Sequence, residues 1–523
     1  MTVGMQLLDE PIRSRRNHWV NQIATHAVMR PDHVAFRCKG VDTTWRALHQ
    51  RSEQFADALA RRGVGFGDRV LLLALNYTEY IEAVIGINAL GAIAVPVNFR
   101  LTPPEVAFIV ADSGAKAIVT DSVLAPLASA MLAQAPDLRT CVVINGSSDD
   151  TVIGYDDFLA EVGEPHAPLD IPEDTPCLIM YTSGTTGTPK GAVLSHANMN
   201  SQGITAFRAM DITPDSVGFC TSPLFHIAGL GSLTPYFLLG GKTVLHPLGA
   251  FDATEWLDAV EAEQATTAFC VPVQWQLICE EPTVTQRKLA LKMLCWGAAP
   301  ASDSVLRAMA DSFPEAQNVA VFGQTEMSPI TCVLEGKDAL RKLGSVGKPI
   351  PTIQVRVVDD EMNDVAPGEI GEIVYRGPTM MSGYWNRPEA TAEAFHGGWF
   401  HSGDLVRQDE EGFVYVVDRK KDMIISGGEN IYCAEVENVL FAHPKIHEAA
   451  VIGRAHEKWG EVPVAVLALV PGVQELTLEE LTPFLNESLA RYKHPKELVL
   501  VTELPRNASG KVVKVALRKE FSA

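Results

Sequence analysis

Cys177-Leu178-Ile179-Met180 runs directly into Tyr181-Thr182-Ser183-Gly184-Thr185-Thr186-Gly187-Thr188-Pro189-Lys190-Gly191. An apolar strand feeding a polar, glycine-rich loop is a common way to build a phosphate site. Glycines and small hydroxyl residues let backbone N–H groups converge on an anion, the hydroxyls add donors, and Lys190 adds a cation. Taken alone, the cluster reads equally as a flexible surface loop. Gly184 is not followed at the required spacing by Gly-Lys-Ser/Thr, and Gly241-Lys242-Thr243 has Tyr236 where a P-loop needs its first glycine. A P-loop NTPase is therefore disfavoured.

On the N-terminal side of this stretch, short apolar runs alternate with helical periods. Gly67-Asp68 precedes the strand-like run Arg69 to Leu75, and Tyr77 to Leu90 then carries apolar residues at helical spacing. Ile93 to Val97 and Ala117 to Thr120 read as further strands around a helix over Pro103 to Asp112. The pattern predicts an α/β fold, with a large N-terminal domain of mixed, mostly parallel sheets. In such sheets ligands gather beyond the C-terminal ends of the strands.

Between Asp359 and Tyr384 the segments shorten and Gly and Pro become frequent, which predicts a β-rich subdomain. The charged run Asp418-Arg419-Lys420-Lys421-Asp422 then leads to Ser426-Gly427-Gly428, and a domain boundary is placed there, dividing residues 1–418 from 419–523. The smaller piece predicts an α+β module. Its strands fall near Ala449 to Ile452 and Val464 to Val470, and its helices near Ala434 to Ala442 and Thr477 to Arg491.

The chain has 523 residues, 47% apolar and 20% charged, enough for a large enzyme with a sizeable core. Its 43 basic against 64 acidic residues leave a net charge of −21, which argues against a nucleic-acid coat and against binding to anionic lipid. Nine cysteines are scattered without C-x-x-C spacing, which suggests buried thiols in a reducing compartment. No signal-peptide pattern opens the sequence, and the uncharged stretch Ala83 to Phe99 is too short to span a bilayer. A cytoplasmic location is expected. Oligomeric state is not readable, so a homodimer stays open.

Further stretches follow the first in a fixed order: Pro223-Leu224-Phe225-His226, Gly297-Ala298-Ala299-Pro300, Phe322-Gly323-Gln324-Thr325-Glu326, Ser402-Gly403-Asp404, Asp418 to Tyr432, and Pro505-Arg506-Asn507-Ala508-Ser509-Gly510-Lys511. Together with the loop at 181–191 they resemble the adenylate-forming superfamily of acyl- and aryl-CoA synthetases, luciferases and peptide-synthetase adenylation domains. The resemblance covers nearly the whole chain and is most pronounced to bacterial FadD-type fatty-acyl-CoA ligases of actinobacteria. It implies that a carboxylate attacks the α-phosphate of Mg-ATP to give acyl-adenylate and pyrophosphate. The thiol of coenzyme A then displaces AMP.

The resemblance also implies roles. Attack of one anion on another requires charge to be cancelled, and Lys511 is the lysine for that task. Glu326 would bind Mg²⁺ with the Thr185 hydroxyl, since a hard cation prefers oxygen ligands. The loop residues Thr182, Ser183, Gly184, Thr185, Thr186, Gly187 and Lys190 would hold phosphate, with Thr325 at the α-phosphate. Gly297, Ala298 and Ala299 would lie against the adenine beside Phe322, Gly323 and Gln324. Phe322 stands where tyrosine is usual, keeping an aromatic face but no phenol hydroxyl. Asp404 and Arg419 would hold the ribose.

In the same family the terminal domain rotates between the two steps, which makes Lys421 the hinge and Ser426, Gly427 and Gly428 the loop facing coenzyme A. His226 is a substrate-site residue and not a base, because the carboxylate nucleophile is already ionised. The acyl pocket is expected around His226 to Gly229, Cys295-Trp296 and Met327-Ser328-Pro329, with Trp296 as a cap or a ring partner. No charged residue in these segments would recognise an ammonium group, so a fatty acid is favoured and an aromatic or steroid acid stays open. Two further readings remain: an acyl-AMP ligase serving a carrier protein, and a non-catalytic nucleotide binder.

Overall fold

The computed structural model describes residues 15–161, 163–182, 189–299, 301–427, 429–506 and 512–521. Its contacts divide the chain into two compact units. One comprises residues 1–184, 188–354 and 376–395, and the other 185–187, 355–375 and 396–523.

The first unit is built on two large sheets. In the eight-stranded sheet the neighbours run Gly383–Tyr384, Lys190–Ser195, Pro176–Thr182, Ile93–Pro96, Arg69–Leu73, Ala117–Asp121, Thr140–Ile144 and Ile153–Gly154. Its inner strands are parallel and buried on both faces, so they read as unbroken apolar runs. The connecting helix Thr78–Ala89 is mostly apolar all round because it too is enclosed; it buries Glu82 beside Arg51, and only Glu79 escapes burial. Helix Pro103–Ser113 has clear local signals. Proline occupies its first turn, the Glu105 carboxylate accepts the Thr102 N–H at 2.7 Å, and Gly114 at φ 60° ends it.

The nine-stranded sheet has a parallel centre. Strands Val217–Cys220, Lys242–Leu245, Thr267–Cys270, Met293–Gly297 and Gln317–Gly323 all run the same way. Ile330–Leu334 and Lys348–Pro349 close one edge antiparallel. The last two parallel strands end together, with Gly297 beside Val321.

Strand Pro176–Thr182 pairs antiparallel with Lys190–Ser195 as the two arms of a hairpin, and Thr182 faces Lys190. The helix after the second arm, His196–Ala209, starts at the capping box of Ser195 and Asn198.

The second unit carries an antiparallel four-stranded sheet ordered Gln354–Val358, Ile370–Arg376, Phe400–Gln408 and Val414–Arg419. A five-stranded sheet follows, centred on the long hairpin Ile446–His456 and Gly460–Leu469. Both faces of this hairpin are covered. Val451 and Leu467 join the helices Cys433–Phe441 and Leu478–Asn486, while Ala450, Ile452, Val464 and Val466 pack on Leu517 of helix Lys514–Phe521. Alternation with period two explains why the sequence there reads as continuously apolar. The helix expected over Thr477 to Arg491 stops at Asn486, and a separate 3₁₀ turn forms at Arg491–Lys493. Residues 418 and 419 both lie in the strand Val414–Arg419 of the second unit.

No disulfide joins the described cysteines, seven of which are buried. Among the described residues no helix is long and apolar enough to cross a membrane.

Candidate functional site

In the first unit the expected nucleotide residues sit at strand ends. Strand Gln317–Gly323 passes into the single 3₁₀ turn Thr325–Met327, which places Glu326 just beyond the sheet. Two backbone constraints fix this corner. A Cβ on Gly323 would stand 1.8 Å from the Pro329 carbonyl oxygen, so only glycine fits, and the Gln324 N–H donates to that same oxygen at 3.0 Å. On the neighbouring strand a Cβ on Gly297 would lie 2.2 Å from the Val321 carbonyl oxygen. Ala298 then turns at φ 65°, and Ala298 and Ala299 are exposed beyond the sheet. Phe322, Gln324 and Thr325 are half-buried in the adjoining turn.

Glu326 is buried, and its carboxylate accepts a hydrogen bond from the Tyr384 hydroxyl at 3.0 Å. Tyr384 belongs to a two-residue strand that pairs with the second arm of the hairpin, opposite Ala192. Burial, and then the Glu326 carboxylate, hold its phenol well above the usual range, so it stays a neutral donor. The Lys190 ammonium lies over the same ring, 5.2 Å from its centroid. Three residues distant in sequence thus meet where the hairpin arms diverge.

The segment around Tyr384 is strapped down. Asp112 accepts from the Tyr181 hydroxyl at 2.7 Å and from Arg387 at 2.5 Å, and its carbonyl accepts from the Trp385 indole at 3.1 Å. Burial and the Asp112 bond raise the Tyr181 phenol as well.

His226 has a local task. It is the N-cap of helix Ile227–Leu239, where its Nδ1 accepts the Ala228 N–H at 3.1 Å. That bond leaves the proton of the neutral ring on Nε2. Trp296 is buried, and its indole donates to Asn318 at 2.6 Å; Asn318 in turn donates to Met309 of helix Asp303–Ser312. Strand alternation sets it on the face opposite Cys295, which clusters with Ala206, Met210 and Tyr236. The structure does not bring Trp296 and Cys295 to one pocket face.

In the second unit Asp404 and Arg419 face each other across paired strands, with Nε to Oδ1 at 2.6 Å, and Asp404 is buried. The buried Glu372 carboxylate accepts the Gly403 N–H at 3.0 Å and His401 at 3.1 Å, which steadies the turn before Asp404. Lys421 is exposed in the next turn, while Lys420 reaches Asp360 at 2.7 Å. Ser426 pairs with Glu429. Gly427, at φ 62°, lies under the Trp459 indole, which a Cβ there would approach to 2.8 Å. Ser183, Gly184, Thr185, Thr186, Gly187, Gly428 and Lys511 lie outside the described residues.

Tyr384, Asp112 and Trp459 were not reached from the sequence. Gly383-Tyr384-Trp385 offered a small signal, an aromatic pair after a glycine, but nothing in it named Glu326 as the partner.

Comparison with known proteins gives a consistent result. The family model described as "AMP-binding enzyme" matches residues 23–385, and "AMP-binding enzyme C-terminal domain" matches 435–511. A feruloyl-CoA synthase of Amycolatopsis sp is 39% identical over 95% of this chain and 97% of its own. The long-chain-fatty-acid–CoA ligase FadD13 of Mycobacterium tuberculosis is 34% identical over 92% and 94%. Among solved structures, o-succinylbenzoate CoA synthetase of Bacillus subtilis in complex with its acyl-adenylate superposes with a TM-score of 0.85 at 32% identity, over 95% of this chain and 98% of that one.

Proposed function

The chain belongs to the AMP-binding enzyme family, and from that membership we propose that it is an acyl- or aryl-CoA ligase working through an acyl-adenylate. The observation that carries the reading is the meeting of Glu326, Tyr384 and Lys190 where the hairpin arms diverge. Placing anionic phosphates and a carboxylate together requires fixed positive charge and a metal ligand, and this corner offers both.

ATP, Mg²⁺ and coenzyme A are the co-substrates and metal that this chemistry uses. The buried Glu326 carboxylate fits a hard cation, and the neutral Tyr384 phenol fixes one of its oxygens without adding a competing charge. When bound, Mg²⁺ neutralises charge on the phosphate oxygens. The protein does the rest by position. Lys190 and the loop of Thr182, Ser183, Gly184, Thr185, Thr186 and Gly187 hold phosphate, with Thr325 at the α-phosphate and Thr185 as a second metal oxygen. Gly297, Ala298, Ala299, Phe322, Gly323 and Gln324 receive the adenine, and Asp404 with Arg419 receives the ribose. Lys511 approaches the α-phosphate in the first step. Rotation at Lys421 then brings Ser426, Gly427 and Gly428 to coenzyme A.

For the acid, the first reading is an aromatic one, supported by the 39% identity to a feruloyl-CoA synthase over nearly the full length. A fatty acid is the second reading, favoured by the absence of charged residues in the expected pocket segments and by the 34% identity to FadD13. Pyrophosphate release with Mg-ATP and a panel of aromatic, alkyl and steroid acids, with and without coenzyme A, tests both. Turnover that requires coenzyme A and is fastest with aryl acids is expected. Turnover indifferent to coenzyme A would point to carrier-protein transfer, and none with any acid to a non-catalytic relative.

A further inference from the structure

Strand Phe400–Gln408 bulges away from its neighbour at the proposed ribose pair. Glu372 of strand Ile370–Arg376 faces Leu405 and Val374 faces His401, so Ile373 alone is opposed by Ser402, Gly403 and Asp404. A bulge of this kind takes residues out of the ladder and re-aims a side chain, and the backbone groups it frees need partners elsewhere. The Ser402 hydroxyl serves two of them, donating to the Ile373 carbonyl at 2.5 Å and accepting the Asp404 N–H at 3.0 Å. Glu372 serves a third: its Oε1 accepts the Gly403 N–H at 3.0 Å, where the chain turns at φ 70°.

The other oxygen of the same carboxylate, Oε2, accepts from His401 Nδ1 at 3.1 Å and from the Lys420 ammonium at 3.3 Å. Gly403 precedes Asp404 and Lys420 follows Arg419, so one buried side chain grips the neighbours of both members of the pair. The Lys420 N–H closes the same corner by donating to the Gly403 carbonyl at 2.9 Å.

A buried carboxylate among cations is a poor device for stability, since apolar residues of similar volume commonly do as well. It is a good device for direction, because each donor fixes one of its oxygens. We propose that Glu372 is a positioning residue for nucleotide recognition. By holding the bulge from Gly403 and from Lys420 it sets the Asp404 carboxylate where the ribose hydroxyls arrive, and so makes the protein prefer a nucleotide that carries them. The inference rests on the reading of Asp404 given above.

The test compares two dissociation constants, measured by calorimetry on the full chain with Mg²⁺ and no acid: that of ATP, and that of dideoxy-ATP, which lacks both ribose hydroxyls. The parent is expected to favour ATP by about tenfold or more, the scale of hydrogen bonds to a charged group. Glu372→Met removes the acceptor and should erase most of that preference by weakening ATP while dideoxy-ATP stays near the parent value. Glu372→Asp keeps the charge, and with it a partner for Lys420, but shortens the reach to Gly403. It should show the same loss, and it decides the matter if Glu372→Met does not fold. Glu372→Gln keeps both the length and an acceptor for the Gly403 N–H, and should restore most of the preference. A parent-like preference in Glu372→Met or Glu372→Asp, equal weakening of both nucleotides, or no rescue by Glu372→Gln overturns the proposal. Asp404→Ala separates the levels. If the parent shows no preference, or Asp404→Ala keeps it, the ribose reading falls and this proposal with it; if Asp404→Ala loses it while the Glu372 variants keep it, this proposal alone falls.

Discussion

At the scale of single residues, Glu326 and Tyr384 carry the most consequence. The phenol is a neutral donor to a carboxylate, a bond worth about 1.5–3 kcal/mol when one partner is charged. Tyr384→Phe is expected to raise the Mg²⁺ concentration needed for half-maximal pyrophosphate release by roughly tenfold, while Glu326→Gln should cost far more at every concentration. A magnesium titration of both variants checks this. Arg419→Ala leaves Asp404 buried without its ion-pair partner and is expected to raise the KM for ATP by about tenfold or more. Initial rates over a range of ATP concentrations measure it.

The contacts of these residues were legible unequally. Glu326, Asp404 and Arg419 stood out because their motifs are local, and the structure pairs the last two in register. Tyr384 was hidden because its partner is 58 positions away. His226 was read only as a substrate-site residue, since its capping bond depends on where helix Ile227–Leu239 begins.

Among the elements, the hairpin arm Lys190–Ser195 and the helix after it follow the loop that is proposed to hold phosphate. The sequence announced the strand before the loop and not the one behind it, although Gly191-Ala192-Val193-Leu194 followed by Ser195-x-x-Asn198 is a strand ending in a helix cap. Ser195→Ala should cost about 1 kcal/mol by losing that cap, read as a fall in the midpoint of denaturant unfolding.

A second element-level device lies where helix Trp19–Met29 meets helix His196–Ala209. His18 and His196 are both buried with ring centroids 4.7 Å apart, and burial lowers the pKa of each below the ordinary histidine value. Groups lowered in this way contribute stability that is present above the unfolded value near 6.5 and lost as pH falls through it. Glu173, paired with Arg16 at 3.1 Å, opposes the shift at His18 only in part. The buried Glu82, raised to about 7, works in the opposite sense over the same range, so the prediction is a comparison: lowering pH from 7.5 to 5.5 should be less damaging to the melting temperature of His196→Phe, which removes the more deeply shifted ring, than to that of the parent.

For the whole molecule, composition and periodicity indicated the α/β class, the parallel sheets and the strands of the terminal α+β module, but not that those strands pair as a hairpin covered on both faces. Long-range closure was beyond them, because edge strands such as Gly383–Tyr384 are too short to carry a periodic signal. What unites the chain chemically is the claim that ATP is cleaved between its α- and β-phosphates by a carboxylate. The direct measurement is a quenched, mass-resolved product analysis with Mg-ATP and a preferred acid, before and after coenzyme A is added. Acyl-adenylate and pyrophosphate first, then acyl-CoA and AMP in equal amounts, is the expected result. Formation of ADP and phosphate, or of acyl-CoA with no adenylate intermediate, would contradict the account.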